Sequence, residues 1–202
     1  AAAGLKKVPA QGTTILLPLT EEFRGEAKRA ELADKIGEID PLLLLFLNRV
    51  RRIDVVERSG DDEDAATTRS MRRKDVASGT ASVVTLTDAV GGGETTTTWL
   101  VVKREVETVS WARRGDAAKT VLAAAFDAGA ARRADDEPLP VFAFLPIAPA
   151  NLAFVLHADW ILASSRETVR EDSAWNQWLR SEAASLYVDA LRAVQAGAGQ
   201  AL

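Results

Sequence analysis

The sequence predicts an α+β fold in which helices cover a largely antiparallel or mixed sheet and a long amphipathic helix ends the domain. Three observations support this fold class. Runs of β-favouring residues, separated by turn residues, follow one another between positions 53 and 147. The charged and leucine-rich segments before them favour helix. A further strand pattern near residue 160 then leads into apolar residues at helical spacing.

The composition limits the size and the setting of the protein. With 202 residues, a hydrophobic fraction of 47% and five tryptophans, the chain can bury the core of one full domain and still contain a fragment of another. The net charge of −4 gives no electrostatic reason to expect nucleic acid or an anionic membrane as a partner. Cysteine is absent, and no apolar run approaches the roughly 20 residues of a membrane-spanning helix. The absence of cysteine is compatible with a reducing compartment, and the expected location is intracellular, in the cytoplasm or nucleus.

The N-terminal quarter of the chain predicts one strand and two helices. Gln11–Leu19 is a strand pattern opened by a glycine, and Glu21–Ile36 is a charged, helix-favouring connector. Asp40 followed by Pro41 is a favourable helix start, so Leu42–Val50, which is apolar nearly all round, is predicted to be a buried helix. The first residue is alanine rather than methionine, and we expect the chain to be part of a longer polypeptide.

The middle of the chain predicts a succession of strands. Glycines at 91–93 separate two β-rich runs and predict a hairpin. Arg72, Arg73 and Lys74 have no aromatic residues among them, so a solvated strand face is favoured over a nucleic-acid patch. The last of these strands is bulky and is predicted to lie in the middle of the sheet. The predicted strands are Ile53–Glu57, Arg69–Asp75, Ala81–Thr87, Thr95–Val106, Lys119–Ala128 and Pro140–Ile147.

The C-terminal stretch joins a strand to a long helix through a short turn. The side chains of Phe154–Leu162 alternate with the period of two that a strand requires. Ser164 and Ser165 end this strand, and Ser173 can cap the following helix. Arg166 therefore lies on a turn between two anchored elements, where a long cation can be aimed at a partner. The apolar stripe predicted for the helix consists of Trp175, Trp178, Leu179, Ala183, Leu186, Ala190 and Val194.

Few side chains indicate an enzyme that works alone. His157 is the single histidine, and its place in a strand favours a half-buried structural side chain over a catalytic or metal-binding one. Asp159 and Glu167 could approach each other across the turn, but Glu167 is expected to bond a nearby arginine or backbone amide. Trp175 and Trp178 are expected to pack in the core rather than to form a surface for client proteins. No metal site is predicted.

The strand, the Leu162–Glu167 turn and the helix together resemble the catalytic-loop region in the middle domain of the ninety-kilodalton heat-shock chaperone. The run WILASSRETVREDSAWNQWLRSEAASLYVDAL is similar to large sacsin-like and NO VEIN-like proteins, which join such a segment to an ATPase domain of the GHKL type. The resemblance implies that Arg166 reaches the γ-phosphate of ATP bound by the preceding domain. It also implies that Thr13 helps to hold the adenine of that nucleotide.

The same resemblance implies a division of the chain and a set of partners. Residues 1–20 would be the last strand of a GHKL-type ATPase domain, 21–39 a helical connector, and 40–202 a middle-domain-like α+β domain. ATP and Mg²⁺ are expected as cofactors of the intact protein, whereas the chain alone, which lacks the rest of the nucleotide site, is expected to bind neither. The expected partners are the adjoining ATPase domain of the same polypeptide and protein clients, without nucleic acid or membrane.

Two positions depart from the chaperone pattern. Ala163 replaces a polar residue three positions before the arginine, which removes a loop-stabilising bond, and Arg170 replaces a glutamine four positions after it. An alternative therefore stays open, in which the chain is a non-enzymatic interaction or scaffold module whose arginine-bearing turn has no link to ATP. Neither the clients nor the oligomeric state follows from the residues.

Overall fold

The computed structural model of the chain describes residues 18–58, 66–78, 81–112, 115–129 and 138–195. The chain divides into two compact units, Ala1–Ile39 and Asp40–Leu202. The described part of the first unit contains a short 3₁₀ helix, Glu21–Arg24, and helix α1, Glu26–Gly37, separated by Gly25. The helix predicted for this segment is therefore present. The assignment of 1–20 to an ATPase domain stays a prediction, because the strand predicted at Gln11–Leu19 lies almost wholly outside the described residues.

The second unit opens with a single 3₁₀ turn, Pro41–Leu44, in which the Leu42 amide donates to the Asp40 carboxylate at 2.8 Å. The helix predicted over Leu42–Val50 is wrong beyond this turn. The Arg73 side chain explains the difference, because its Nη1 atom donates to the carbonyl of Leu44 at 2.8 Å and to the carbonyl of Leu45 at 2.6 Å. Those carbonyls are therefore bound by an arginine instead of the amides of a continuing helix.

Among the described residues, eight strands form one mixed sheet, and the α+β fold class predicted from the sequence is confirmed. The order across the sheet is β1-β2-β3-β4-β5-β8-β6-β7, and every neighbouring pair is antiparallel except β6 and β8. Gly91 and Gly92 have φ of 57° and 87°, which a tight turn between β3 and β4 requires, so the predicted hairpin is confirmed. The strands are β1 Arg52–Arg58, β2 Ala66–Ser78, β3 Ala81–Val90, β4 Gly93–Glu107, β5 Lys119–Asp127, β6 Pro140–Ala143, β7 Leu145–Pro149 and β8 Val155–His157.

Two predicted strands differ from those in the structure. The single mid-sheet strand predicted over Pro140–Ile147 is wrong, because the chain reverses at Phe144, which has a φ of 63°, and forms the β6–β7 hairpin. The strand predicted over Phe154–Leu162 is too long. Only Val155–His157 pairs with β5. The Ala158 amide still donates to the Phe142 carbonyl of β6 at 3.1 Å, but the backbone of Asp159 and Ile161 is bonded by side chains of the following helix.

Helix α2, Ala174–Gln195, packs against β4 and β5 and completes the core. Ser173 caps it as predicted, because its Oγ atom accepts from the Asn176 amide at 3.4 Å. The predicted apolar stripe is confirmed at most positions, with Ala183 only half-buried and Val194 outside the described side chains. Within the described residues no helix is both long and apolar enough to cross a membrane. The buried residues of α2 are Trp175, Asn176, Trp178, Leu179, Leu186, Ala190 and Ala193.

Candidate functional site: the arginine hairpin

Between β8 and α2 the chain folds into a small hairpin, residues 161–170, which we call the arginine hairpin. The amide of Arg170 donates to the carbonyl of Ile161 at 3.0 Å, and the amide of Ala163 donates to the carbonyl of Thr168 at 2.9 Å. Leu162 and Val169 pair as an antiparallel bridge inside these two bonds. The hairpin therefore turns the chain back on itself immediately before the helix begins.

Arg166 lies in the loop of the arginine hairpin and is exposed. Its φ of 63° places it in the left-handed region, which a residue with a side chain adopts at a cost of roughly 1 kcal/mol. The Arg166 amide donates to the carbonyl of Ala163 at 2.9 Å, and the Glu167 amide donates to the Ser165 hydroxyl at 3.4 Å. The loop thus has a defined backbone conformation, although Ala163 cannot supply a polar side chain.

The guanidinium of Arg166 makes no hydrogen bond or ion pair with any residue that the structure describes. The expected bond between the Glu167 carboxylate and an arginine or a backbone amide is likewise not found in the described part of the chain. Arg170, by contrast, forms a double contact with Asp172, with Nε–Oδ1 and Nη2–Oδ2 distances of 3.1 and 2.7 Å. This hydrogen-bonded pairing raises the pKa of Arg170 and lowers the pKa of Asp172. Among the hairpin's two arginines, Arg166 is the cation left available to a partner.

A buried amide in the first turn of α2 clamps both ends of the arginine hairpin. Asn176 is fully buried, and its Oδ1 atom accepts from the Ile161 amide at 2.9 Å. Its Nδ2 atom donates to the carbonyls of Ile161 and Arg170, both at 2.7 Å. Trp175 adds a bond from Nε1 to the carbonyl of Asp159 at 2.7 Å. Our sequence interpretation missed Asn176, although a polar residue on an otherwise apolar helix face was a usable signal.

His157 lies on β8, ahead of the hairpin, and is more deeply buried than predicted. Its Nδ1 atom accepts from the Phe144 amide at 3.3 Å, and its ring stacks on Phe46 with centroids 4.7 Å apart. Burial lowers the pKa of His157 from 6.5 to about 4, with Lys103 acting in the same direction and with Asp159 and a backbone hydrogen bond acting against it. The imidazole is therefore neutral at physiological pH and is held in the core.

The remaining predicted site features add nothing to the arginine hairpin. Thr13, predicted on the adenine side of a nucleotide, lies outside the described residues. The described side chains contain no group of three or more histidine, cysteine, aspartate or glutamate residues that could hold a metal ion. The basic stretch at 72–74 is not wholly a solvated face, because Arg73 is buried while Arg72 and Lys74 are exposed.

The fold and the site define the class of the protein: an α+β domain that presents Arg166, an arginine unpaired among the described residues, on a short hairpin bound by helix α2. Comparison with known proteins then gives a relative. The chain is 37% identical over 185 residues to Protein NO VEIN of Arabidopsis thaliana, in an alignment that covers 89% of this chain and 6% of that protein. The similarity to Protein NO VEIN thus extends over most of this chain. No family model and no solved structure matches it.

Proposed function

We propose that this chain is the post-ATPase segment of a large chaperone-like protein of the GHKL type and couples ATP binding and hydrolysis to conformational change. The observation that carries the proposal is the state of Arg166, which is exposed, fixed in backbone conformation and without an ion pair among the described residues. The chain spans about 6% of the length of its NO VEIN relative, so the activity and partners of the whole protein are part of the proposal.

The role proposed for Arg166 is to donate to the γ-phosphate of ATP held by an adjoining domain of the same polypeptide. ATP would supply the transferable phosphoryl group, and Mg²⁺ would be its counter-ion. Thr13 would lie beside the adenine of the bound ATP. The contribution of this chain would be to place the Arg166 guanidinium at the γ-phosphate. An arginine supplied by a second structural element can stabilise the charge that develops during phosphoryl transfer. A guanidinium that already had a carboxylate partner would first have to give up that pair, and Arg166 has none among the described residues.

Arg166→Ala in the full-length protein tests this role. The backbone bonds of the hairpin do not involve the guanidinium, so the fold should survive. ATP turnover should fall by at least about tenfold, while the dissociation constant for ATP changes little, because the contact is made mainly during transfer. Arg166→Lys should restore turnover only in part, since an ammonium cannot make the forked contact. Arg192→Ala, which removes an exposed arginine of α2, is the matched control and should leave turnover unchanged.

The alternative is a non-enzymatic interaction or scaffold module. If the full-length protein hydrolyses ATP and Arg166→Ala leaves turnover at the wild-type rate, the coupling role is wrong and the interaction module remains. The isolated chain is a second check, because it should show no ATP binding by calorimetry. Micromolar affinity of the isolated chain for ATP would contradict the proposed division of the nucleotide site.

A further inference from the structure

A cavity of about 690 Å³ lies within the second unit, between α2, the β6–β7 hairpin and the arginine hairpin. This volume is in the range of roughly 300–1,000 Å³ that is typical of small-molecule sites. Ala183, Ala184 and Tyr187 face the cavity from α2, and Ile147 and Pro149 face it from β7. Most of the other lining residues are also aliphatic or aromatic, so the cavity suits an apolar body.

The polar lining residues of this cavity are Thr168, Glu171, Arg180 and Tyr187, together with the indole of Trp160. Trp160 lines the cavity and is 4% exposed, and its buried Nε1–H has no acceptor in the described part of the chain. Leaving such a donor unpaired costs roughly 1–3 kcal/mol, and native structures seldom do so. Arg180 also lines the cavity, and its contact with Glu171 is a long one of 3.6 Å between side chains that are 50% and 85% exposed. A ligand carboxylate at the rim of the cavity can bind Arg180 in competition with the exposed Glu171.

The edge of the sheet beside the cavity argues against an extended peptide as the occupant. β7 is the outermost strand, and Pro146 and Pro149 within it lack the amide hydrogens that an added strand would use. An apolar cavity that is partly open to solvent and has a cation at its rim fits a compact molecule better than a strand.

We propose that the cavity binds a small amphiphile, with its apolar body between α2 and β7 and its carboxylate at Arg180. Thr168 and Val169 of the arginine hairpin line the same cavity, as does Glu171 immediately after the hairpin. A bound amphiphile therefore contacts the segment that carries Arg166. Its binding should slow hydrogen exchange of the hairpin amides, an effect that does not depend on the role proposed for ATP.

The test uses three amphiphiles with the same apolar chain and different head groups: decanoate, decanol and decyltrimethylammonium, each below its micelle concentration. Calorimetry on the 202-residue chain should show saturable binding of one decanoate, about tenfold tighter than decanol, which is the ratio expected for one hydrogen bond to a charged group. The cationic amphiphile should bind most weakly. In NMR spectra, the indole resonance of Trp160, assigned with Trp160→Phe, should shift on decanoate addition.

Variants of α2 locate the site. Ala184→Phe places a ring at an exposed lining position and should abolish decanoate binding, whereas Ala174→Phe, at an exposed position of the same helix that does not line the cavity, should not. Arg180→Met should remove the preference for decanoate over decanol, and Arg192→Met should keep it. Equal affinities for all three amphiphiles in the wild-type chain, or decanoate binding that survives Ala184→Phe, would overturn the proposal. A helical circular dichroism spectrum like that of wild type establishes that each variant is folded.

Discussion

Asn176→Ala should be one of the most destabilising single substitutions in the chain. It removes three side-chain hydrogen bonds of 2.7–2.9 Å and leaves the Ile161 amide and the Arg170 carbonyl without their partner. At roughly 1 kcal/mol for each bond, with a further penalty for the orphaned amide, the loss is about 3–4 kcal/mol. For a domain of this size that corresponds to a fall in Tm of roughly 6–16 °C.

Urea unfolding followed by circular dichroism measures this loss, and hydrogen exchange at the Ile161 amide locates it. Gln177→Ala is the control, because Gln177 is the neighbouring amide, is exposed, and donates to a single loop carbonyl at 3.2 Å. That control should change the stability by no more than about 0.5 kcal/mol. The clamp would be refuted if Asn176→Ala were as stable as Gln177→Ala, or if the Ile161 amide exchanged at the wild-type rate.

Three further predictions concern the rest of the second unit. Arg73→Met removes the donor for the Leu44 and Leu45 carbonyls and should cost roughly 3 kcal/mol in urea unfolding, whereas the exposed Arg72→Met should be nearly neutral. Trp178→Ala, at a core position 5% exposed, should cost roughly 3–5 kcal/mol, and an unchanged Tm would mean that this helix face is not packed. The pKa of His157 is lowered from 6.5 to about 4, so the unfolded chain binds more protons in that interval. Stability should therefore fall by about 3 kcal/mol as the pH drops through it, and His157→Gln should show a correspondingly shallower pH dependence in thermal melts.

The elements that could be predicted from the sequence are those specified by local patterns. The β3–β4 hairpin follows from glycines between two β-rich runs, and the long C-terminal helix follows from its apolar spacing and from a serine at the cap position. The period-two alternation of side chains also predicted that a strand precedes the arginine hairpin, but it did not predict the length of that strand. Pairing with β5 ends at His157 although β5 itself continues to Lys119, because side chains of α2 bond the backbone of Asp159 and Ile161. A pattern within one segment holds no information about such bonds from distant residues.

The features that could not be predicted depend on contacts between distant residues. Arg73 is one of several arginines in a basic stretch, and its burial is decided by carbonyls 28 and 29 residues away. Those same bonds turn an apolar segment that looks helical into a single 3₁₀ turn. The residue type at position 144 gives no indication that the chain reverses there, yet Phe144 adopts a φ of 63° where β6 meets β7. In each case tertiary contacts outweigh the local preference.

The position of Arg166 is set by α2 more than by the arginine hairpin itself. An isolated two-stranded hairpin is marginally stable at best, and this one has a single bridge and contains a residue with φ of 63°. Its two ends are bound by Asn176, and the chain leading into it is bound by Trp175, both in the first turn of α2. Because the same helix packs on β4 and β5, the loop is tied through these bonds to the core of the sheet. The backbone position of Arg166 therefore depends on the packed helix, and loss of the Asn176 bonds should displace Arg166 although that residue itself is unchanged.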